Sequence, residues 1–183
     1  STRNALGAYY TPPGLARTLA DLAVRPHLGK AQLSILDPAC GSGIFLNEVL
    51  RALQRHAYTG AVSLHGIDIS ADAIEMAKFA LKYNDAAEKA KISLNVGSFV
   101  TSPKVGEFDI VLMNPPFVAF QDLPDETREI VKATLGSSYA YRPDFSVLFV
   151  ELALSCLKEG GTLASLVPAG ILTQRSILNW RSH

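Results

Sequence analysis

Neither sign of charge prevails in this 183-residue chain, where Lys plus Arg and Asp plus Glu each number 17. Proteins that grip nucleic acid unaided are usually basic, because neutralising phosphates dominates their affinity. A neutral chain either does not hold nucleic acid alone or depends on a basic segment elsewhere. Cysteine is scarce: Cys40 and Cys156 are the two present. They exclude a zinc pattern and a disulfide framework, and make a reducing, cytoplasmic setting the default expectation. No apolar run approaches the ~18 residues that span a bilayer. The most apolar stretch, Phe145 to Leu157, is broken by Ser146, Glu151 and Ser155, so no membrane partner is expected. Arg3 is followed by no long apolar core, so no secretory signal is read. His27, His56 and His65 lack a metal-ligand spacing and His183 is terminal. No metal is expected, and all four read as surface or core residues. Repeats, low-complexity tracts and linkers are absent as well. The chain starts at Ser1 and stops at His183, which reads as a piece of a longer polypeptide.

Strand-like and helix-like runs alternate in what remains. Ser34–Asp37 and Ser63–Asp68 read as strands, each ending in an acid, and Lys91–Val96 alternates as a strand does. Phe108–Met113 reads as the continuous apolar run of a buried parallel strand. Thr162–Val167 reads as a fifth strand, with Pro168 as its stop. Helical spacing runs through Ile44–His56 and Ala71–Tyr83, the latter with Asp72 in its first turn, where the helix dipole favours an acid. Asp144–Lys158 reads as a helix capped by Asp144 and stopped by Gly160–Gly161, and Ile171–Trp180 as a last helix. This alternation predicts an α/β fold: one domain over residues 1–183, built on a doubly wound, mostly parallel sheet. Residues 1–30 form an N-terminal helical segment and residues 31–169 the core. Ligands in such sheets sit beyond the carboxyl ends of the strands. That rule points to the positions after Asp37, Asp68 and Met113. The longest irregular stretch, residues 117–143, follows the third and reads as a long active-site loop.

Asp37-Pro38-Ala39-Cys40-Gly41-Ser42-Gly43 joins the first strand to its helix. Glycines there permit positive φ and close backbone approach to a ligand. The dinucleotide fingerprint fails, because its third glycine position holds Leu46. Asp37 beside the turn would serve a pyrophosphate poorly. A cofactor with a cationic centre and an ammonium group, such as S-adenosylmethionine, suits it better. Asp68 at the end of the second strand suits the two hydroxyls of a ribose. Cys40 has no apparent base nearby and does not read as a nucleophile.

Asn114-Pro115-Pro116-Phe117 follows the fourth strand. Successive prolines make the segment stiff, and stiffness lowers the entropy cost of binding. The Asn114 amide oxygen and the Pro115 carbonyl can each accept a hydrogen from a planar NH₂ group. Two acceptors favour a tetrahedral nitrogen and raise its nucleophilicity. No strong general base is required, since the proton can leave after transfer. Phe117 offers a face on which a base can stack. Asp122, Asp125, Glu126 and Glu129 read as a solvated face, while Tyr139, Tyr141 and Arg142 read equally as loop packing or as DNA contacts.

With Tyr9-Tyr10-Thr11-Pro12 near the start, these motifs fall in order. From about Tyr9 to Ala169 the chain resembles the N6-adenine DNA methyltransferases of restriction–modification systems, in the group with cofactor motifs first and target recognition last. The last motif alone is shared with glutamine and some RNA methyltransferases. The resemblance implies a Rossmann-like, S-adenosylmethionine-dependent methyltransferase fold, here C-terminally truncated before a β-hairpin and a recognition domain. It implies that Tyr10 and Thr11 hold the methionine end of the cofactor. Asp37, Ala39, Gly41 and Gly43 would form its turn, Asp68 would bind its ribose, and Ile69 would flank its adenine. Asn114, Pro115 and Phe117 would surround a flipped base, with Pro116 near the cofactor. Where the family often has an acid for the adenine amine, this chain has Ser98, so a lower cofactor affinity is expected. Phe99 would stand as the apolar wall. Double-stranded DNA would be held through segments outside this chain, with a restriction or specificity subunit as a further partner. Cytosine, RNA or protein glutamine as acceptor stays open, as does a cofactor-binding module inactive without partner segments.

Overall fold

Helix formation here follows local chemistry at each terminus. The structure is a computed structural model and describes residues 11–136, 145–167 and 169. Helix α1 spans Pro13–Val24 and begins with proline, whose missing N–H costs nothing in a first turn. Helix α2 spans Ile44–Arg55, and helix α3 spans Ala71–Lys82. The Ser70 side chain caps α3 by accepting from the Ala73 N–H at 3.2 Å, and Asp72 lies in its first turn. Helix α4 spans Asp125–Leu135 and α5 spans Phe145–Cys156. No helix among the described residues is long and apolar enough to cross a membrane.

Five strands lie between them: β1 Gln32–Asp37, β2 Ala61–Asp68, β3 Ala90–Val96, β4 Phe108–Met113 and β5 Leu157–Ser165. They form one parallel sheet in the order β3-β2-β1-β4-β5. Leu33, Ile35, Leu64, Ile110 and Leu112 face a core built with α1, α2 and α3, through residues such as Ala20, Leu46, Val49 and Ile74. Leu36, Val111 and Met113 face a second core with Val131 of α4 and Val147, Leu148 and Ala153 of α5. The sheet is therefore wound on both faces, as the alternation predicts. Order reverses between β1 and β4, and β1 ends at the glycine turn.

Two expectations from the sequence are corrected. Gly160 and Gly161 do not stop a helix. Helix α5 ends at Cys156 and β5 starts at Leu157 without a gap, so both glycines lie inside the strand. Phe108 pairs with Leu157, but Ile110 pairs with Thr162, and Gly160 has φ +70°. The extra residues bulge out where β5 joins the sheet, a use of glycine in strands rather than at helix ends. Nor is residues 117–143 a structureless loop: it carries the turn Phe120–Asp122 and helix α4, whose Val131 and Leu135 are buried. Polar residues at Asp125, Glu126 and Glu129 obscured a helix that buries a narrow side. Asp144, Pro168 and Ile171–Trp180 fall outside the described residues.

Candidate active site

The glycine turn is held by its neighbours as well as by its own backbone. Gly41 has φ +50° and Gly43 has φ +80°, both in the left-handed region that favours glycine. A Cβ on Gly43 would stand 3.1 Å from the Ala77 Cβ, so this glycine lets α3 pack against the turn. A Cβ on Gly41 would meet nothing within 4 Å. Gly41 therefore borders open space, and Gly43 borders protein. The Gly43 N–H donates to the Cys40 carbonyl at 2.8 Å, and the Cys40 N–H to the Ile67 carbonyl at 2.9 Å. No side chain caps α2, so its first N–H groups are left toward the turn.

Asp37 ends β1 and is 1 % exposed. Its Oδ1 accepts the Ala39 N–H at 3.2 Å, while the buried Oδ2 has no hydrogen-bond partner among the described residues. Burial pushes its carboxyl up to about 8, partly offset by the Ala39 N–H and reinforced by Asp68. Asp68 ends β2. Its Oδ2 accepts the Gly41 N–H at 2.8 Å and its Oδ1 the Ser70 N–H at 2.9 Å. The Asp68 carbonyl takes the Gly97 N–H at 2.8 Å, tying the end of β3 to the same edge. Ile69 and Val96 remain exposed beside Asp68, and Ser98 is exposed. Phe99 is buried. Its ring is 2 % exposed and packs in the second core, 5.5 Å from the Phe149 ring centroid. Val96, the last residue of an edge strand, is an open apolar side chain there beside Ile69, and its place at that strand end is the signal in the sequence.

Asn114 follows the last residue of β4. Its Nδ2 donates to Thr11 Oγ1 at 3.0 Å, across 103 residues of sequence. Thr11 is buried, as is Pro115, while Asn114, Pro116 and Phe117 are half-buried. The Met113 carbonyl accepts the Leu166 N–H at 3.0 Å, and the Val118 carbonyl accepts the Phe145 N–H at 3.0 Å. Both flanks of the segment are thus fixed to other elements. Tyr9, Tyr10, Tyr139, Tyr141 and Arg142 lie outside the described residues.

The remaining singled-out groups have structural surroundings. Burial, with Asp37 and Asp68 nearby, pushes the Cys40 thiol up, which disfavours the thiolate a nucleophile needs. His27 Nε2 lies 2.9 Å from Thr162 Oγ1, His56 Nε2 lies 3.0 Å from Asp21 Oδ1, and His65 packs edge-on against Phe108. Among the described residues no cluster could hold a metal ion. At the opposite end of the sheet, Asp109 is buried inside the apolar run of β4, with Lys30 at 2.7 Å and Lys158 at 2.9 Å. Ser34 donates to it through both its N–H and its hydroxyl. A staple at the amino ends of β1, β4 and β5 was not legible from spacing, because its parts come from distant segments.

The family described as N-6 DNA methylase matches residues 1–177. The type II methyltransferase M.TthHB8I of Thermus thermophilus is 30% identical over 171 residues, covering 90% of this chain and 35% of that protein. The chain spans about a third of the length of the curated relatives it matches. Among solved structures, a Listeria monocytogenes protein described as a class I S-adenosylmethionine-dependent methyltransferase has a TM-score of 0.67 and 22% identity, covering 91% of this chain and 48% of that one. A modification subunit of a type I restriction enzyme from Vibrio vulnificus has a TM-score of 0.66 and 22% identity, covering 93% and 36%. These likenesses establish the methyltransferase fold.

Proposed function

The chain belongs to the N-6 DNA methylase family, and from that membership we propose that it transfers a methyl group from S-adenosylmethionine to the exocyclic amine of adenine in DNA, within a restriction–modification system. The observation that carries the reading is one of placement. The glycine turn, Asp68 and the Asn114 segment end three neighbouring strands, β1, β2 and β4, at one edge of the sheet. Residues 1–183 would act as a single catalytic domain with residues 31–169 as its core, in the cytoplasm.

The residues present fit the cofactor. Gly41 borders space that a side chain would fill, and the buried Asp37 Oδ2 is an acceptor in want of a cation. Asp37 would hold the ammonium group and Asp68 the ribose hydroxyls, with Ala39, Gly41 and Gly43 shaping the turn. Ile69 and Val96 would flank the adenine, Ser98 would accept from its amine, and Phe99 would support the wall from within the core. Tyr10 would cover the methionine end. S-adenosylmethionine supplies an electrophilic methyl group on a sulfonium. Asn114 Oδ1 and the Pro115 carbonyl would accept the two hydrogens of the target amine and bias its nitrogen toward a tetrahedral, more nucleophilic form. Pro115 and Pro116 hold those acceptors still. Phe117 would stack on the flipped base. The spent proton passes to solvent.

A neutral chain of this kind leaves most DNA affinity to the rest of a larger protein or to a specificity or restriction subunit. The test is transfer by the full chain of labelled methyl to adenine-containing duplex DNA, with the modified nucleoside identified by mass spectrometry. N6-methyladenine is expected, with Asn114→Ala slower by roughly a hundredfold or more. No transfer, or an Asn114→Ala rate equal to the unmodified protein's, would sink the reading. Methylated cytosine would move the acceptor instead.

A further inference from the structure

We propose that Phe145, through the first N–H of α5, is a positioning residue that fixes the far end of the catalytic segment. This rests on the reading that the Pro115 carbonyl and Phe117 meet the target base. The Phe145 N–H donates to the Val118 carbonyl at 3.0 Å, and Val118 directly follows Phe117. A backbone N–H only donates and a carbonyl only accepts, so the contact has one polarity. The first N–H groups of a helix have no partner within it, and the aligned peptide dipoles favour an acceptor at that end. Helix α5 therefore brings a donor to its start, and the catalytic segment supplies the acceptor.

At its near end the segment is held by the sheet. Met113 is paired with Ser165, and its carbonyl accepts the Leu166 N–H at 3.0 Å. Pro115 and Pro116 fix their own φ, but each ψ from Asn114 to Phe117 keeps a range. A small rotation near Met113 therefore grows into a larger displacement at Phe117. A second hold at Val118 closes the stretch from the other side. That hold is itself well placed, because α5 buries Val147, Leu148 and Phe149 in the second core. The Phe145 ring stands edge-on to Phe149, with centroids 5.3 Å apart, and Phe149 lies 5.5 Å from Phe99. Phe99 directly follows Ser98. The helix that holds the catalytic segment is thus packed against the end of β3 proposed for the cofactor's base.

Phe145→Pro and Phe145→Ala lose the same ring, but only the first loses the N–H. Proline is tolerated at the first position of a helix, where its missing N–H breaks no bond within the helix. In the full chain, single-turnover methyl transfer at saturating DNA and S-adenosylmethionine should be roughly tenfold slower in Phe145→Pro than in Phe145→Ala, since small misplacements of reacting groups are costly. The dissociation constants of the two variants for S-adenosylmethionine should agree within about twofold, and their melting temperatures within about 4 °C. A bond that served folding alone would lower the melting temperature of Phe145→Pro and leave its rate at saturation equal to that of Phe145→Ala, and equal rates would overturn the proposal. Should Phe145→Pro not fold, hydrogen exchange at the Phe145 amide of the unmodified protein decides. Protection of about a hundredfold or more is expected there, and exchange as fast as in an unbonded amide would overturn the anchor. If the unmodified protein methylates no adenine, the adenine reading fails. The Phe117 and Val118 amide resonances of ¹⁵N-labelled protein then decide the anchor: they should differ between the two variants, and identical resonances would refute it.

Discussion

Asp68 closes the glycine turn from the neighbouring strand: its Oδ2 takes the Gly41 N–H at 2.8 Å while its Oδ1 takes the Ser70 N–H at 2.9 Å. The acid proposed for the ribose therefore also joins the turn after β1 to the start of α3. Asp68→Ala should weaken cofactor binding and, in addition, lower stability by about 1–3 kcal/mol, the range for losing charge-assisted bonds to backbone donors. Asp68→Asn keeps an acceptor and should cost less stability. Denaturant melts run beside calorimetric titrations separate the two effects. An Asp68→Ala protein as stable as its parent would show that these bonds hold nothing.

Asp37 gives a pH dependence of opposite sign to that of an ordinary paired acid. Its carboxyl is pushed up to about 8 by burial, above the unfolded value near 3.9. The folded state then keeps a proton that the unfolded state releases, so stability falls as pH rises from about 4 to about 8. Asp37→Asn should stabilise the ligand-free protein at pH 7 to 8, on the order of a few kcal/mol at most. A cationic ligand needs the ionised form, so S-adenosylmethionine should bind up to about tenfold more tightly per pH unit between pH 6 and 8, relative to Asp37→Asn. Parallel pH profiles of the two proteins would refute the assignment.

The two glycines of the turn should respond differently to the same change. Gly43→Ala places a Cβ 3.1 Å from the Ala77 Cβ at φ +80°, and strain and crowding together should cost about 2 kcal/mol or more. Gly41→Ala carries the backbone strain alone, about 1 kcal/mol, and extends a methyl into open space. Thermal melts should rank Gly43→Ala as the less stable protein. Ligand titration should show Gly41→Ala losing more affinity than stability. Equal melting temperatures would contradict this division.

Asp109 should stabilise the amino end of the sheet. Burial alone would raise its carboxyl, but the bonds from Lys30, the Ser34 N–H, Lys158 and the Ser34 hydroxyl outweigh it and hold the group well below the usual carboxylate range. A depressed folded value means a contribution that is present above about pH 4 and is lost as pH falls further. Asp109→Ala leaves two half-exposed lysines facing each other without their counter-ion, and should cost about 3 kcal/mol at neutral pH. Its stability difference from the parent should shrink below pH 4. A difference that stays constant from pH 7 to pH 3 would exclude the ionic account.

Local sequence carried much of the architecture, and for identifiable reasons. The boundaries of β4 and the start of α2 coincide with an apolar run and a glycine turn, both of which act within a few residues. Ser70 capping and the acid Asp72 marked α3 in the same local way. The positions of the acids at the ends of β1 and β2, and of Asn114 after β4, were legible because each strand run ends at or just before them, and the rule for parallel sheets makes those ends the expected place for a ligand. Helix α4 was missed where its exposed acids masked a narrow buried side. The meaning of Gly160–Gly161 was missed because a glycine pair reads alike as a helix stop and as a strand bulge.

What the sequence determined by itself was the parallel α/β order and the edge at which Asp37, Asp68 and Asn114 would meet, since both follow from periodicity and chain connectivity. Tertiary structure alone decided that Phe99 turns into the core against Phe149, that Asp109 collects Lys30 and Lys158, and that Thr11 takes the Asn114 amide. Each of these depends on burial or on partners far away in the chain, and the free energy of a hydrogen bond or an ion pair is set by distance and desolvation, which no local pattern of residues encodes.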